Sequence, residues 1–404
     1  VGFDDDGGSL VAQAGCVLEN LDTYVQGRGW TMPLDLGAKG SCTIGGNVST
    51  NAGGLRLLRY GSLHGSVLGL EAVLADGTIV DLLRTLRKDN TGIHLRNLFI
   101  GAEGSLGVVT ACAVQCAPRP RSVQVALLAC PSYKHVLETL SRARRDLAEI
   151  LSAAEFLDLE SMKMVTKYLP DNVVNPLSSS SSSSAAAASD SPFFMVIETH
   201  GSNETHDQEK MGAFLEDCMS LGAVTDGLLA DSGRQASLVW RIREGITEAL
   251  VRRGAVYKYD VSMPTAKMYE LVEDIRSRLE AAGFRCDSGS DSAVHVLGYG
   301  HVGDGNLHLN VSAPKYDDRI QDLIEPYLYE WTGRHGGSVS AEHGLGQMKA
   351  EVIGYSKPEA AVALMAQIKA SMDPKGILNP YKLLPQKALE EAYSKLNKAD
   401  GATV

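Results

Sequence analysis

Between Gly37 and Gly54 the chain places six glycines in eighteen residues, interleaved with Ser41, Thr43, Asn47, Ser49, Thr50 and Asn51. A segment so poor in apolar side chains buries little surface of its own, so a larger scaffold must carry it. What it offers is backbone N–H groups that a ligand can approach closely, beside small hydroxyl and amide side chains. That chemistry suits a phosphate or a flavin ring, and it equally suits a long Gly-rich surface loop. No Gly-Lys-Ser/Thr stands at P-loop spacing, and no Rossmann turn is present. A second segment, Gly101-Ala102-Glu103-Gly104-Ser105-Leu106-Gly107, runs straight into an apolar strand.

At 404 residues the chain is long enough for two or three domains at the usual ~150 residues each. Asp and Glu number 49 against 38 Lys and Arg, a net charge of −11. An excess of that sign argues against a nucleic-acid-binding surface, and any anionic substrate must be held by a few local cations. The seven cysteines are scattered, with no CxxC pair, and read as reduced, mostly buried thiols. No apolar run reaches the ~18–20 residues of a membrane span. The chain opens at Val1 without a presequence, as a fragment or processed form would.

Residues 1–118 are rich in Gly and β-branched residues, with short apolar runs at 69–74 and 107–112 separated by turns such as Ala75-Asp76-Gly77. The Pro-containing segment Ala117-Pro118-Arg119-Pro120-Arg121 ends this part. Beyond it, strands at 123–128 and 193–198 alternate with amphipathic helices at 133–148 and 207–221, a layered α/β or α+β domain. Ser178–Ser184 and Ala185–Ala188 form a low-complexity insert, expected to be a disordered surface loop at about 177–191. From 351 to about 395 the pattern is helical, broken at Asp373-Pro374-Lys375-Gly376 and Asn379-Pro380.

Gly298-Tyr299-Gly300-His301-Val302-Gly303 matches G-x-G-x-x-G, but a turn and the alternating strand Leu307-His308-Leu309-Asn310-Val311 come directly after it. A dinucleotide site needs a helix N-terminus there, so nicotinamide binding is excluded at this segment. A strand–turn–strand hairpin across Gly303-Asp304-Gly305-Asn306 can instead bring His301 and His308 together. Ser340-Ala341-Glu342-His343-Gly344 lies some thirty residues later. Two His and one carboxylate form the ligand set of catalytic divalent metals, although each histidine taken singly reads as a polar loop residue. His343, next to Glu342, has the chemistry of a general base.

Trp240–Thr247 reads as one helix, with Arg243 and Thr247 four apart on one face, and Tyr257–Ser262 as a strand. Arg243 and Lys258 can bind carboxylates by fork and point charge, or can be ordinary surface charges.

Taken in order, Gly45-Gly46-Asn47, Asn51-Ala52-Gly53-Gly54, Arg59-Tyr60-Gly61-Ser62-Leu63-His64-Gly65 and Arg87-Lys88-Asp89-Asn90-Thr91-Gly92 carry a resemblance. Gly104-Ser105-Leu106-Gly107, Gly300–His308, Ala341-Glu342-His343-Gly344 and Gly376–Lys382 extend it. The chain resembles the FAD-dependent 2-hydroxy-acid dehydrogenases of the vanillyl-alcohol-oxidase type over nearly its whole length. That resemblance implies an α+β fold: a PCMH-type FAD-binding domain at 1–118, an antiparallel substrate (cap) domain at 119–340, and a helical segment at 341–404 that returns to the flavin. It also implies a further N-terminal part of the flavin domain, with a Gly-rich pyrophosphate loop, ahead of Val1.

By the same resemblance His301, His308 and Glu342 are metal ligands, for zinc, and His343 is the base that also touches substrate. Arg243, Thr247, Lys258 and Asn310 are substrate-binding positions. Flavin contacts fall on Pro33, Gly37, Gly40, Ser41, Gly45, Gly46, Asn47, Thr50, Asn51, Gly53, Gly54, Tyr60, Gly61, Glu103, Gly104, Gly107, Val109 and Asn379. The implied reaction is FAD- and metal-dependent oxidation of (R)-2-hydroxyglutarate to 2-oxoglutarate, with electrons passed to an electron-transfer flavoprotein in the mitochondrion. D-lactate or glycolate oxidation is the close alternative, and a non-catalytic metal-binding fragment the distant one. A homodimer is among the assemblies left open. Lys258 is the discriminator, because only a diacid needs a second cation.

Overall fold

A computed structural model describes residues 2–170, 173–179, 191–286 and 292–401. The chain divides into two compact units, Val1–Arg119 with Glu342–Val404, and Pro120–Ala341. Its architecture is α+β, with helices and antiparallel sheets in separate layers. Among the described residues no helix is long and apolar enough to cross a membrane.

The first unit contains β1 (Gly2–Asp4), β2 (Ser9–Gln13), β3 (Trp30–Thr31), β4 (Val67–Val73), β5 (Ile79–Leu82), β6 (Val108–Gln115) and β7 (Ala117–Pro118). Five of these make an antiparallel sheet in the order β1-β2-β6-β4-β5, while β3 pairs with β7. Leu10, Leu70 and Cys112 on the sheet pack with Ile44 and Val48, which belong to a short helix, Ile44–Thr50. The glycine-rich segment is therefore not one long loop. Its apolar Ile44 and Val48 sit four apart and fold it onto the sheet, and Asn51 ends the helix in the left-handed region at φ 47°.

The C-terminal helix Glu359–Met372 adds Lys369, buried against Asp373, with its ammonium donating to the carbonyls of Ser105 (2.9 Å) and Leu378 (2.7 Å). A buried lysine is tolerable only when its donors are satisfied in this way.

The second unit holds β8 (Ser122–Cys130), β9 (Leu151–Asp158), β10 (Phe193–Gly201), β11 (Asp226–Leu229), β12 (Ala255–Ser262), β13 (His295–His301) and β14 (Asn306–Ala313). These form a seven-stranded antiparallel sheet in the order β11-β8-β10-β9-β13-β14-β12. Both faces are covered, and the central strands β9 and β10 are accordingly buried at every position rather than at alternate ones. One face, with Leu127, Leu157, Val196 and Leu297, packs against the helices Leu159–Tyr168, Gly233–Glu244 and Ile246–Arg253. On the other face Gly298 leaves room for Val272 and Tyr269 of the helix Met268–Ala281.

Two local expectations need correction, and a third falls mostly outside the described residues. The helix expected from Asp207 starts at Glu204, because the Asn203 side chain accepts from the His206 N–H (3.2 Å) and caps it one turn earlier. Trp240–Thr247 is not one helix. Two helices meet at Gly245, where a side chain would strike the Arg241 carbonyl and Leu169, so Arg243 ends one helix and Thr247 begins the next. The Ser/Ala insert lies outside the described residues from 180 to 190, whereas Pro176–Ser179 forms a 3-10 turn with Leu177 buried.

Candidate active site

Side chains alternate across a strand, so register decides which residues share a side. In the second unit Asp260 lies opposite His308, and Lys258 opposite Asn310. His308 in turn faces Tyr299, and Tyr299 faces Leu157. One side of the sheet thus carries Lys258, Asp260, His308, Asn310, Tyr299, His301 and Glu155 as a polar continuation of the Leu157–Leu297 packing face.

The hairpin sets the two histidines. Gly305 turns at φ +84°, and a Cβ there would lie 2.7 Å from the Met263 carbonyl oxygen. The Gly303 N–H donates to the Ala154 carbonyl (3.1 Å), and its own carbonyl accepts from Arg144 (2.7 Å). His301 and His308 then approach Nε2 to Nε2 at 3.2 Å, with ring planes 78° apart. His301 Nδ1 is 2.8 Å from Glu155 Oε1, and His308 Nδ1 is 3.7 Å from Asp260 Oδ1. The Glu155 carboxylate at His301 Nδ1 favours the proton there, which directs the His301 Nε2 lone pair at His308, while Asp260 lies beyond hydrogen-bond reach of His308 Nδ1.

Two ring nitrogens at that separation can share either a proton or a cation. Two imidazoles on one tetrahedral zinc, with Zn–N of about 2.0–2.1 Å, hold their nitrogens about 3.3 Å apart. The donor set therefore fits a divalent metal. Asp260 also anchors the chain beyond the hairpin, accepting from Asn306 Nδ2 (2.7 Å) and from the Ala341 N–H (3.1 Å). Glu342 is the next residue, and it opens the other unit.

The substrate candidates divide into two kinds. Arg243 is buried, its Nε donating to Glu155 Oε2 (3.0 Å) with Nη2 2.8 Å from the same oxygen, and its guanidinium lies 5.0 Å from the Tyr299 ring centre. Lys258 is exposed. Thr247 Oγ1 is 2.9 Å from the Tyr299 hydroxyl, and Asn310 Nδ2 donates to that hydroxyl at 2.6 Å. Burial pushes the Tyr299 hydroxyl above its ordinary pKa, so it stays neutral. Glu155, Asp260 and Tyr299 were given no role by the sequence. Two of them were within reach, since Asp260 lies two residues from Lys258 and Tyr299 two from His301, on the same side of their strands.

In the first unit the glycine-rich helix start is less open than expected. The Ile44 and Gly45 N–H groups are taken by the carbonyls of Cys16 and Ala14 (both 2.9 Å). Thr50 bonds back to the Gly46 carbonyl, and Asn51 Oδ1 accepts from the His64 N–H. Asn47, however, is buried and its amide oxygen has no hydrogen-bond partner among the described residues. A buried orphan acceptor within the glycine-rich segment fits a ligand with N–H groups, such as a flavin ring.

Pro33, Gly37, Gly40 and Ser41 precede that helix, while Tyr60 closes a helical turn before Gly61. Val109 lies on β6 opposite Ala72, and Phe99 packs where a Gly107 side chain would stand. Glu103 has φ 51°, and its carboxylate accepts from the Leu345 N–H (2.6 Å) and the Gly346 N–H (2.8 Å). Asn379, also left-handed at φ 43°, donates to the Glu103 carbonyl close to Gly104. The Glu103 side chain thus serves the loop that carries His343, whose imidazole is exposed and 3.9 Å from the Glu342 carboxylate.

Comparison with known proteins is consistent with both halves. Residues 119–383 match the family of FAD linked oxidases, C-terminal domain, and residues 1–83 match an FAD binding domain. A mitochondrial D-2-hydroxyglutarate dehydrogenase of Arabidopsis thaliana is 57% identical over 95% of this chain and 65% of that protein. One from Bos taurus is 55% identical over 96% of this chain and 67% of that protein. A putative mitochondrial D-lactate dehydrogenase of Schizosaccharomyces pombe is 48% identical over 94% and 70%. The chain thus spans about two thirds of the length of these relatives. An alkyldihydroxyacetonephosphate synthase structure shares the fold, with a TM-score of 0.70 at 15% identity over 94% of this chain and 65% of that one. The chain belongs to the FAD-linked oxidase family.

Proposed function

We propose that the protein oxidises (R)-2-hydroxyglutarate to 2-oxoglutarate, with FAD and a divalent metal, in the mitochondrion. The observation that carries this reading is the converging His301–His308 Nε2 pair, 3.2 Å apart and backed by Glu155 and Asp260, on the sheet side that also bears Asn310 and Lys258. The relatives named as mitochondrial D-2-hydroxyglutarate dehydrogenases support both substrate and compartment.

His301, His308 and Glu342 would hold the metal, zinc in the first instance, and the glycine-rich residues with Asn47, Asn51, Gly104 and Asn379 would contact the flavin. When bound, the flavin accepts the hydride equivalent and the metal polarises the hydroxyl and its neighbouring carboxylate. The chain's own residues supply the rest. His343 takes the hydroxyl proton on an imidazole nitrogen. Thr247 and Asn310, aligned through the Tyr299 hydroxyl, orient the polar atoms of the substrate. Arg243 is already balanced by Glu155, so Lys258 is the cation left for the distal carboxylate. Electron-transfer flavoprotein as acceptor rests on the family resemblance alone.

D-lactate oxidation is the second reading, supported by the name of the fission-yeast relative. Dye reduction by the full-length protein with D-2-hydroxyglutarate, D-lactate and D-malate, with and without a chelator, separates the two. Fastest turnover on D-2-hydroxyglutarate, lost on chelation, is expected. Preference for D-lactate, or indifference to the chelator, would overturn the substrate or the metal respectively.

A further inference from the structure

Glu155 is the one acidic residue of β9 that sits between two groups with separate tasks, a metal ligand and a substrate-side cation. It is almost wholly buried, on a strand covered on both faces. Its two oxygens are divided: Oε1 lies 2.8 Å from His301 Nδ1, and Oε2 accepts from Arg243 Nε at 3.0 Å with Nη2 at 2.8 Å. Neither partner is a sequence neighbour, since His301 is 146 positions away and Arg243 is 88. A carboxylate can serve both at once because it presents an acceptor to each donor.

We infer that Glu155 is a positioning residue that couples the proposed metal ligand to the buried guanidinium, fixing the His301 tautomer with one oxygen and the Arg243 side chain with the other. The inference rests on the proposed metal site. Its consequence is that ligand strength and substrate recognition are not independent. With the proton on Nδ1, His301 presents a lone pair at Nε2; with the proton on Nε2, that nitrogen points an N–H at His308 and stops being a ligand.

Glutamine at this position separates the two tasks. Its single oxygen can face Arg243, which leaves its NH2 against His301 Nδ1 and drives the proton to Nε2. Turned the other way, the NH2 meets the guanidinium donor to donor. Glu155→Gln should therefore weaken zinc binding at least tenfold, in the range usual for lost partners of ligating histidines, and raise KM more than it lowers kcat.

The double variant Glu155→Gln/Arg243→Met frees the glutamine oxygen to turn to His301. It should recover most of the zinc affinity without recovering KM. A merely structural role for Glu155 would give no such recovery.

The experiment is a zinc competition titration of the full-length protein with a chromophoric chelator, for wild type, both variants and His301→Ala, with flavin content as the folding check. Loss in Glu155→Gln with recovery in the double variant supports the inference. Unchanged zinc affinity in Glu155→Gln, or no recovery, overturns it. Should wild type itself bind no zinc that His301→Ala abolishes, it is the metal reading that fails. Nitrogen-15 histidine spectra of the wild type then decide the tautomer directly, and a proton on His301 Nε2 would overturn the role of Glu155.

Discussion

The Asn310 amide donates to the Tyr299 hydroxyl at 2.6 Å, and the same hydroxyl lies 2.9 Å from Thr247 Oγ1. One phenol thus joins a strand residue to the first turn of a helix that is 63 positions earlier in the chain. Tyr299→Phe keeps the ring on which Arg243 lies but leaves the buried Asn310 amide without that acceptor. A stranded buried donor costs about 1–3 kcal/mol. A fall of that size in urea-unfolding stability, with a raised KM and a smaller change in kcat, is the expected outcome. An unchanged KM would remove Tyr299 from substrate orientation.

Lys258 bears on substrate length. It is exposed, faces Asn310 across the ladder, and lies on the proposed substrate side. Lys258→Met should lower kcat/KM for D-2-hydroxyglutarate roughly 30-fold, about 2 kcal/mol and the low end for a stranded charge because the residue is open to water. D-lactate, with one carboxylate, should be nearly unaffected. Parallel losses on both acids would refute the distal-carboxylate role.

Family resemblance assigns Glu103 to the flavin, and in the fold its carboxylate clasps the N–H groups of Leu345 and Gly346. Glu103→Ala should destabilise the protein by about 2–4 kcal/mol, since hydrogen bonds to a charged acceptor contribute ~1.5–3 kcal/mol each. Hydrogen exchange at those two amides should accelerate before exchange in the sheets does. Retained protection there would show that the loop is held by other contacts.

Metal ligand and base should come apart on mutation. His308→Ala is expected to lose bound metal and turnover together with flavin content intact, whereas His343→Ala should keep both groups and lose ~10²–10⁴-fold in kcat. Metal analysis beside steady-state kinetics reads both. A His343 variant impaired only in KM would make it a binding residue.

Burial pushes the thiols of Cys112, Cys116 and Cys130 up to about 12. A neutral, buried thiol is a poor nucleophile, so at pH 8 fast labelling by a disulfide reagent should be confined to the half-buried Cys16, Cys42 and Cys286, and all seven should react after unfolding. The linked effect on stability has a definite sign. These groups ionise near 9 when unfolded and only near 12 when folded, so they leave stability unchanged below about pH 9 and lower it as pH rises towards 12.

The parts legible in the sequence were those set by local pattern. Alternation over Leu307–Val311 and the Gly303–Asn306 turn were enough to place His301 and His308 on a hairpin. The break at Gly245 was legible only in part, since the Arg241 carbonyl that leaves no room for a side chain is four residues away but Leu169, the other close neighbour, is far off in sequence. Glu155 was beyond reach for the same reason. Its partners depend on β9 lying beside β13, a neighbour relation between strands more than 130 residues apart that no local periodicity encodes. The glycine-rich stretch gave its composition truly but not its hydrogen bonds, which are spent on the strand end at Ala14 and Cys16.

The pairing of Lys258 with Asn310 and of Asp260 with His308 also limits how this protein can change over time. Because successive side chains point to opposite sides, inserting or deleting one residue within β12 or β14 would turn Lys258 or His308, respectively, to the opposite side of the sheet and bring Val261 or Leu309 round in its place. Replacements along these strands can be sampled one at a time, and loops between elements can lengthen freely. The frame of the two strands cannot drift by a single step, so variation in substrate preference within this architecture has to come from exchanging side chains and never from shifting them.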